Sequence, residues 1–358
     1  MKSNTIAASL ICFMLGVSPT ARAQQAGTEW VNMNQKVSEL IREDKLDEAI
    51  ELSHKAIALA EQRVGPEHPD VATSLRQLAS ALRIKKDYAG AEPNFARVLA
   101  IWEKVYGPEH AYTAVAVNEL AALYVLMDEP AKAVPLYLRS LAILEKLHGV
   151  DSLETANTGN ELAMIYDRQN NFAAAEPLYL RAIASREKNL GEKHPGAAAV
   201  MSHLAAMYDR QGDYAKAQAA YERLLAAREN LLGPNHYNVA AVLTTLGAVC
   251  IRNGNLDGAE GYFKRVVSIW ETKYGPDHFE VATAVSNLAV LYVKKNDLVS
   301  AEPLMRRALE IREKVYGPTH AVVATSLVNL ASVVRAAGRE DEAAELEKRA
   351  QEIRAGQQ

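Results

Sequence analysis

Apolar residues recur along this chain in two alternating blocks, each with helical spacing. Between Val71 and Gly107, residues Leu75, Leu78, Ala79 and Leu82 follow at steps of three and four, which puts them on one helix face. Lys86 and Asp87 interrupt that stripe, and Tyr88, Ala91, Phe95, Val98, Leu99 and Trp102 carry a second one up to Tyr106. Gly107 is placed to end this second helix, because glycine enters left-handed backbone without steric penalty, and Pro108 prevents resumption. The pattern predicts a unit of helix A, short turn, longer helix B and Gly-Pro turn.

The closing loop returns every 42 residues: Gly65-Pro66-Glu67-His68, Gly107-Pro108-Glu109-His110, Gly149-Val150-Asp151-Ser152, Gly191-Glu192-Lys193-His194, Gly233-Pro234-Asn235-His236, Gly275-Pro276-Asp277-His278 and Gly317-Pro318-Thr319-His320. Helix A is expected near 71–84, 113–126, 155–168, 197–210, 239–252, 281–294 and 323–336, each followed by its helix B. A weaker copy precedes them, with helix A near 29–42 and helix B near 46–63. The repeats then lie near 29–64, 71–106, 113–148, 155–190, 197–232, 239–274, 281–316 and 323–354. An unbroken period of this length marks a solenoid, whose units bury their apolar faces only by stacking. The expected fold is all-α, a right-handed α-solenoid of about eight helix-turn-helix pairs over residues 24–354, with 355–358 as a disordered tail.

Small residues stand where helices must touch, Ala79, Ala121, Ala163, Ala205, Gly247, Ala289 and Ala331 on helix A against Ala91, Ala133, Ala175, Ala217, Ala259, Ala301 and Ala343 on helix B. Large wedges lie between them, Tyr124, Tyr166, Tyr208 and Tyr292 on helix A and Phe95, Tyr137, Tyr179, Tyr221 and Phe263 on helix B. Cys250 occupies a tyrosine slot and is expected to be a buried structural thiol. Leu162-Ala163 with Tyr166, then Ala175 and Tyr179, resembles the tetratricopeptide repeat, whose usual period is about 34 residues. The longer period, the Gly-Pro-x-His loops, Ala91-Glu92-Pro93 and Ile311-Arg312-Glu313-Lys314 look like the subclass typified by kinesin light chains.

That resemblance implies a concave side lined by helix A. The positions just before its leucine are polar: Arg76-Gln77, Asn118-Glu119, Asn160-Glu161, Ser202-His203, Thr244-Thr245, Ser286-Asn287 and Val328-Asn329. In kinesin light chains an Asn-Asn pair there holds the backbone of an extended peptide; only Asn118, Asn160, Asn287 and Asn329 match, one per unit. A turn later, Arg83, Asp167-Arg168, Asp209-Arg210, Arg252, Lys294 and Arg335 resemble the charged groove edge, whose arginines and lysine would select acidic groups on a ligand. The expected site is thus a peptide groove of Arg76, Gln77, Arg83, Asn118, Glu119, Asn160, Glu161, Arg168, Arg210, Arg252, Asn287, Lys294 and Asn329. The expected function is non-enzymatic capture of an extended or helical segment of another protein. A scaffold or oligomerising spacer that uses the convex face or an end-cap helix is the alternative.

Pro93, Pro135, Pro177 and Pro303 fall early in helix B and are expected to bend it or start it as a 3₁₀ turn. Lys36 in the first helix A and Glu347 in the last helix B replace core residues, as solvent-facing caps should. Residues 1–23 read as a cleavable signal: Lys2, an apolar run from Ile6 to Val17, Pro19, and the small-x-small site Ala21-Arg22-Ala23, with cleavage after Ala23 and export to a bacterial periplasm or beyond. Ile11 before Cys12 is too bulky for a lipoprotein acceptor site. Hydrophobic residues at 49% and charged residues at 23% exclude general disorder. A net charge of −4, which becomes −6 once Lys2 and Arg22 are removed, gives no basic surface for nucleic acid.

The sequence holds no His-Glu-x-x-His, Gly-x-Ser-x-Gly or phosphate loop, so neither catalysis nor a cofactor is expected. His68, His110, His194, His236, His278 and His320 form a row, but stacked repeats place equivalents about 8–10 Å apart, too far to share a metal. They are expected to satisfy carbonyls at the end of helix B and to start the next helix.

Overall fold

A computed structural model describes residues 19–191 and 194–356. The expected leader up to residue 18, and Gln357 and Gln358 of the expected tail, lie outside the described residues. Sixteen α-helices and no strand occur among the described residues. They are α1 (Pro19–Arg42), α2 (Leu46–Val64), α3 (Pro69–Ile84), α4 (Tyr88–Tyr106), α5 (Ala111–Leu126), α6 (Pro130–His148), α7 (Leu153–Arg168), α8 (Phe172–Leu190), α9 (Pro195–Gln211), α10 (Tyr214–Leu232), α11 (Tyr237–Arg252), α12 (Leu256–Tyr274), α13 (Phe279–Lys294), α14 (Leu298–Tyr316), α15 (Ala321–Ala336) and α16 (Glu340–Ala355). The fold is an all-α solenoid of repeated helix pairs, odd-numbered helices being A and even-numbered ones B. The first helix departs from expectation by starting at Pro19, ten residues before the 29 suggested by the repeat.

The chain divides into two compact units, one ending at Ile165 and one beginning at Tyr166. In the first, α1 to α6 pack in chain order; in the second, α8 to α16 do. Both alanine columns are wholly buried. Gly247 has a sharper reason to be small: a β-carbon there would stand 2.7 Å from the Phe263 ring. Cys250 is fully buried, and burial pushes its thiol up to about 11, so it stays protonated.

Local rules explain where helices start and stop. Each histidine of the row caps the following helix A, its Nδ1 accepting the backbone N–H two residues on, as His194 does from Gly196 at 3.0 Å and His236 from Asn238 at 3.1 Å. The imidazoles thus serve as acceptors for the next helix, and among the described residues none donates to a carbonyl of the previous one. Ser152 takes over in the loop that lacks histidine, accepting from the Thr155 N–H at 3.1 Å. The glycine before each cap adopts φ of +84° to +95° with ψ of 149° to 166°. That is an extended conformation in the glycine-only half of the map, not the left-handed helical one expected. The A–B turns hold a second positive-φ column: Asp44, Lys86, Asp128, Asn170, Gly212, Gly254, Asn296 and Gly338.

The proline-bearing B helices α4, α6, α8 and α14 are α-helical from their first residue, so the expected 3₁₀ start does not form. Each proline leaves the carbonyl four residues earlier without a helical donor, and the residues concerned, Ala89, Ala131, Ala173 and Val299, are exposed to water that can replace it. Successive B helices are stitched by Glu–Arg pairs at 2.5 to 2.8 Å: Glu61–Arg97 and Glu103–Arg139 in the first unit, Glu187–Arg223, Glu229–Arg265, Glu271–Arg307 and Glu313–Arg349 in the second. At the C-terminal end, Glu347 pairs with Arg335 through both carboxylate oxygens.

Candidate binding site

Helix A residues that line the inner face form stripes, mixed polar and apolar on α5 and polar on α7. On α5 these are Val115, Asn118, Glu119 and Ala122, and on α7 Glu154, Asn157, Thr158 and Glu161, both at the i, i+3, i+4, i+7 spacing of one helix face. Between the two stripes, within the first unit, lies a cleft of about 350 Å³, completed by Arg83 from α3 and by Tyr137 and Leu144 from α6. Four of the residues expected in a groove, Arg83, Asn118, Glu119 and Glu161, meet here.

The cleft has unspent hydrogen-bonding capacity. The Asn118 Nδ2 donates across it to Thr158 Oγ1 at 2.8 Å, while its Oδ1 is buried and accepts nothing. Tyr137 is only 2% exposed, yet among the described residues its hydroxyl has no hydrogen-bond partner. Burial raises its pKa far above that of an ordinary phenol, with the charge of Glu161 adding to the effect and that of Arg83 opposing it. The phenol therefore stays protonated and can both donate and accept. Glu119 is taken up by Arg76, whose Nε lies 2.8 Å from both carboxylate oxygens. Arg83, Glu154 and Glu161 form no ion pair among the described residues, so the lining is left one charge negative.

The other expected residues are dispersed. Gln77 is committed within the first unit, donating to the Asn34 carbonyl at 3.0 Å and to Ser38 Oγ at 2.9 Å. Asn160 is 7% exposed and reaches only the Met164 sulfur, outside the cleft lining. In the second unit two of the expected arginines are not free to select acidic groups: Arg210 pairs with Asp167, and Arg252 grips Asp209 through Nε at 3.0 Å and Nη2 at 2.7 Å. Arg168 and Lys294 remain exposed without an ion pair, Asn287 is half-buried and Asn329 is exposed. Sequence reasoning missed Val115, Glu154, Asn157, Thr158 and the site role of Tyr137. The four polar residues of α7 at the i, i+3, i+4, i+7 spacing of one helix face were the available signal.

Comparison with known proteins bears on most of the chain. The tetratricopeptide repeat family matches in overlapping windows at residues 39–93, 76–146, 114–188, 154–230, 196–272, 238–314 and 280–355. Among solved structures, a TPR repeat-containing protein of Cytophaga hutchinsonii aligns over 82% of this chain and 99% of its own C-terminal part, at TM-score 0.59 and 14% identity. A kinesin light chain-like protein of Podosopora anserina, with nearly identical TPR-like repeats, aligns over 57% of this chain and 97% of its own, at TM-score 0.52 and 24% identity. Those levels of identity establish the shared fold alone. A secreted RxLR effector protein of Plasmopara halstedii is 38% identical over 73 residues, 20% of this chain, and the match spans 22% of that relative's length.

Proposed function

Because the chain belongs to the tetratricopeptide repeat family, we propose that it is a non-enzymatic interaction module that holds an extended or helical segment of a partner protein against the A-helix face. Repeat arrays of this family recognise other proteins through the surfaces their stacked helices present. The observation that carries the specific reading is the α5–α7 cleft, where Asn118 and Tyr137 keep hydrogen-bonding groups unused in a partly enclosed, partly apolar setting. Such convergence of a few polar groups on apolar walls is what ligand sites share. Asparagine suits a peptide main chain because its amide both donates and accepts. The module would work after export, with residues 1–23 removed by a cut after Ala23; that cut would shorten α1 from its N-terminal end.

The test is site-specific photocrosslinking in cells that produce the native chain. A photoreactive residue at Val115, in the cleft, is expected to capture a partner, and one at Leu138, on the outer side of α6, is not. Capture from Leu138 alone would reject the A-helix face in favour of a scaffold that binds through helix B.

A further inference from the structure

We propose that the cleft between α5 and α7 receives a cationic side chain, arginine or lysine, from the bound segment; this deepens the interaction reading above and depends on it. The unspent groups are mostly acceptors: the buried Asn118 Oδ1, the Tyr137 hydroxyl oxygen, and the unpaired carboxylates of Glu154 and Glu161. A guanidinium or ammonium brings only donors and a positive charge, which matches that inventory. Arg83 is the lone opposing charge, and the two free carboxylates outnumber it. The walls suit the rest of such a side chain, since Val115, Ala122, Leu144 and the Tyr137 ring form an apolar sleeve for a methylene stem. An acidic segment, which the arginine row in the sequence suggests, would bring its carboxylates against Glu154 and Glu161.

The second unit shows a related arrangement in which the phenol does have a charged partner. There the Tyr179 hydroxyl meets Asp167 at 3.4 Å, and Asp167 is bound in turn by the guanidinium of Arg210. The residue that stands where Asp167 would, one 42-residue repeat earlier, is Val125, so Tyr137 has no such carboxylate. The charges that act on it are those of Glu161 and Arg83, and it bonds to neither. A guanidinium entering from the partner would donate to the phenol oxygen and to Glu161, giving the Tyr137 phenol a charged partner, as Asp167 gives Tyr179 in the second unit.

The experiment uses the full chain with ¹³C-labelled tyrosine, the Tyr137 signal being assigned by its loss in Tyr137→Phe. The probes are acetylated, amidated glycine-serine heptapeptides with arginine, lysine, norleucine or glutamate at the centre. Arginine and lysine peptides are expected to shift the Tyr137 signal saturably, and norleucine and glutamate peptides are not. The Glu154→Gln, Glu161→Gln double variant, whose sites are exposed, should keep its melting temperature and weaken arginine-peptide binding about tenfold or more. No shift with either cationic peptide, an equal shift with norleucine, or unchanged affinity in the double variant would overturn the proposal. A blank titration together with partner capture at Val115 defeats the cation pocket alone, whereas capture only at Leu138 defeats the groove reading itself.

Discussion

Backbone conformation singles out two positions in every repeat but the last, and they differ in how strictly they require glycine. Gly107, at φ 95° and ψ 164°, occupies a region that a side chain enters only with strain, although a β-carbon there would touch nothing. Lys86, at φ 67°, sits in the left-handed helical region, where a side chain is tolerated at modest cost. Gly107→Ala should therefore destabilise the chain by about 1–3 kcal/mol through strain alone, and Lys86→Gly should leave stability unchanged or raise it by up to about 1 kcal/mol. Chemical denaturation of the two variants checks both signs. The sequence displays the loop glycines plainly, but a glycine code cannot tell a left-handed helical residue from an extended one. Histidine was similarly legible as a helix starter and illegible in the direction of its bond, because a neutral imidazole carries one donor and one acceptor.

At the scale of helices, periodicity fixed most of what formed, since leucines and alanines three and four residues apart leave one face to bury. The ties between neighbouring helices were not legible, because the Glu–Arg offset along successive B helices depends on how far each one slides past the next. Glu260 on α12 illustrates what such ties do. It accepts from Lys264 on its own helix and at 2.7 Å from Lys295 beyond α13, with the Tyr292 hydroxyl also bonded, and together these hold its carboxyl down to about 2. A carboxyl whose pKa falls on folding adds stability that is complete above its unfolded value and fades as the pH drops from about 4.5 towards 2. Because the group is partly solvated, the effect should be of order 1 kcal/mol. Glu260→Gln should flatten the acid limb of the stability profile between those pH values, as read by urea denaturation at a series of pH; an unchanged limb would show that the pairs contribute nothing.

Over the whole chain, the 42-residue period made the solenoid legible from end to end, and the family match agrees with it from residue 39 to 355. The candidate site was legible only in part. Asn118, Glu119, Glu161 and Arg83 were visible as polar positions on helix A, whereas Tyr137 reads in sequence as one more core wedge. The role proposed for it rests on an absence, the valine at position 125, which matters only once the chain is folded. The paired state of Arg210 and Arg252 was hidden for a similar reason, each aspartate lying 43 residues before its arginine.

The central claim, that the A-helix face holds the partner, is tested most directly by hydrogen exchange on the full chain with and without the partner segment captured at Val115. The account predicts added protection concentrated in α5 and α7 over residues 115–122 and 154–161. Protection confined to the outer side of the B helices, around Leu138 and Leu180, would contradict it.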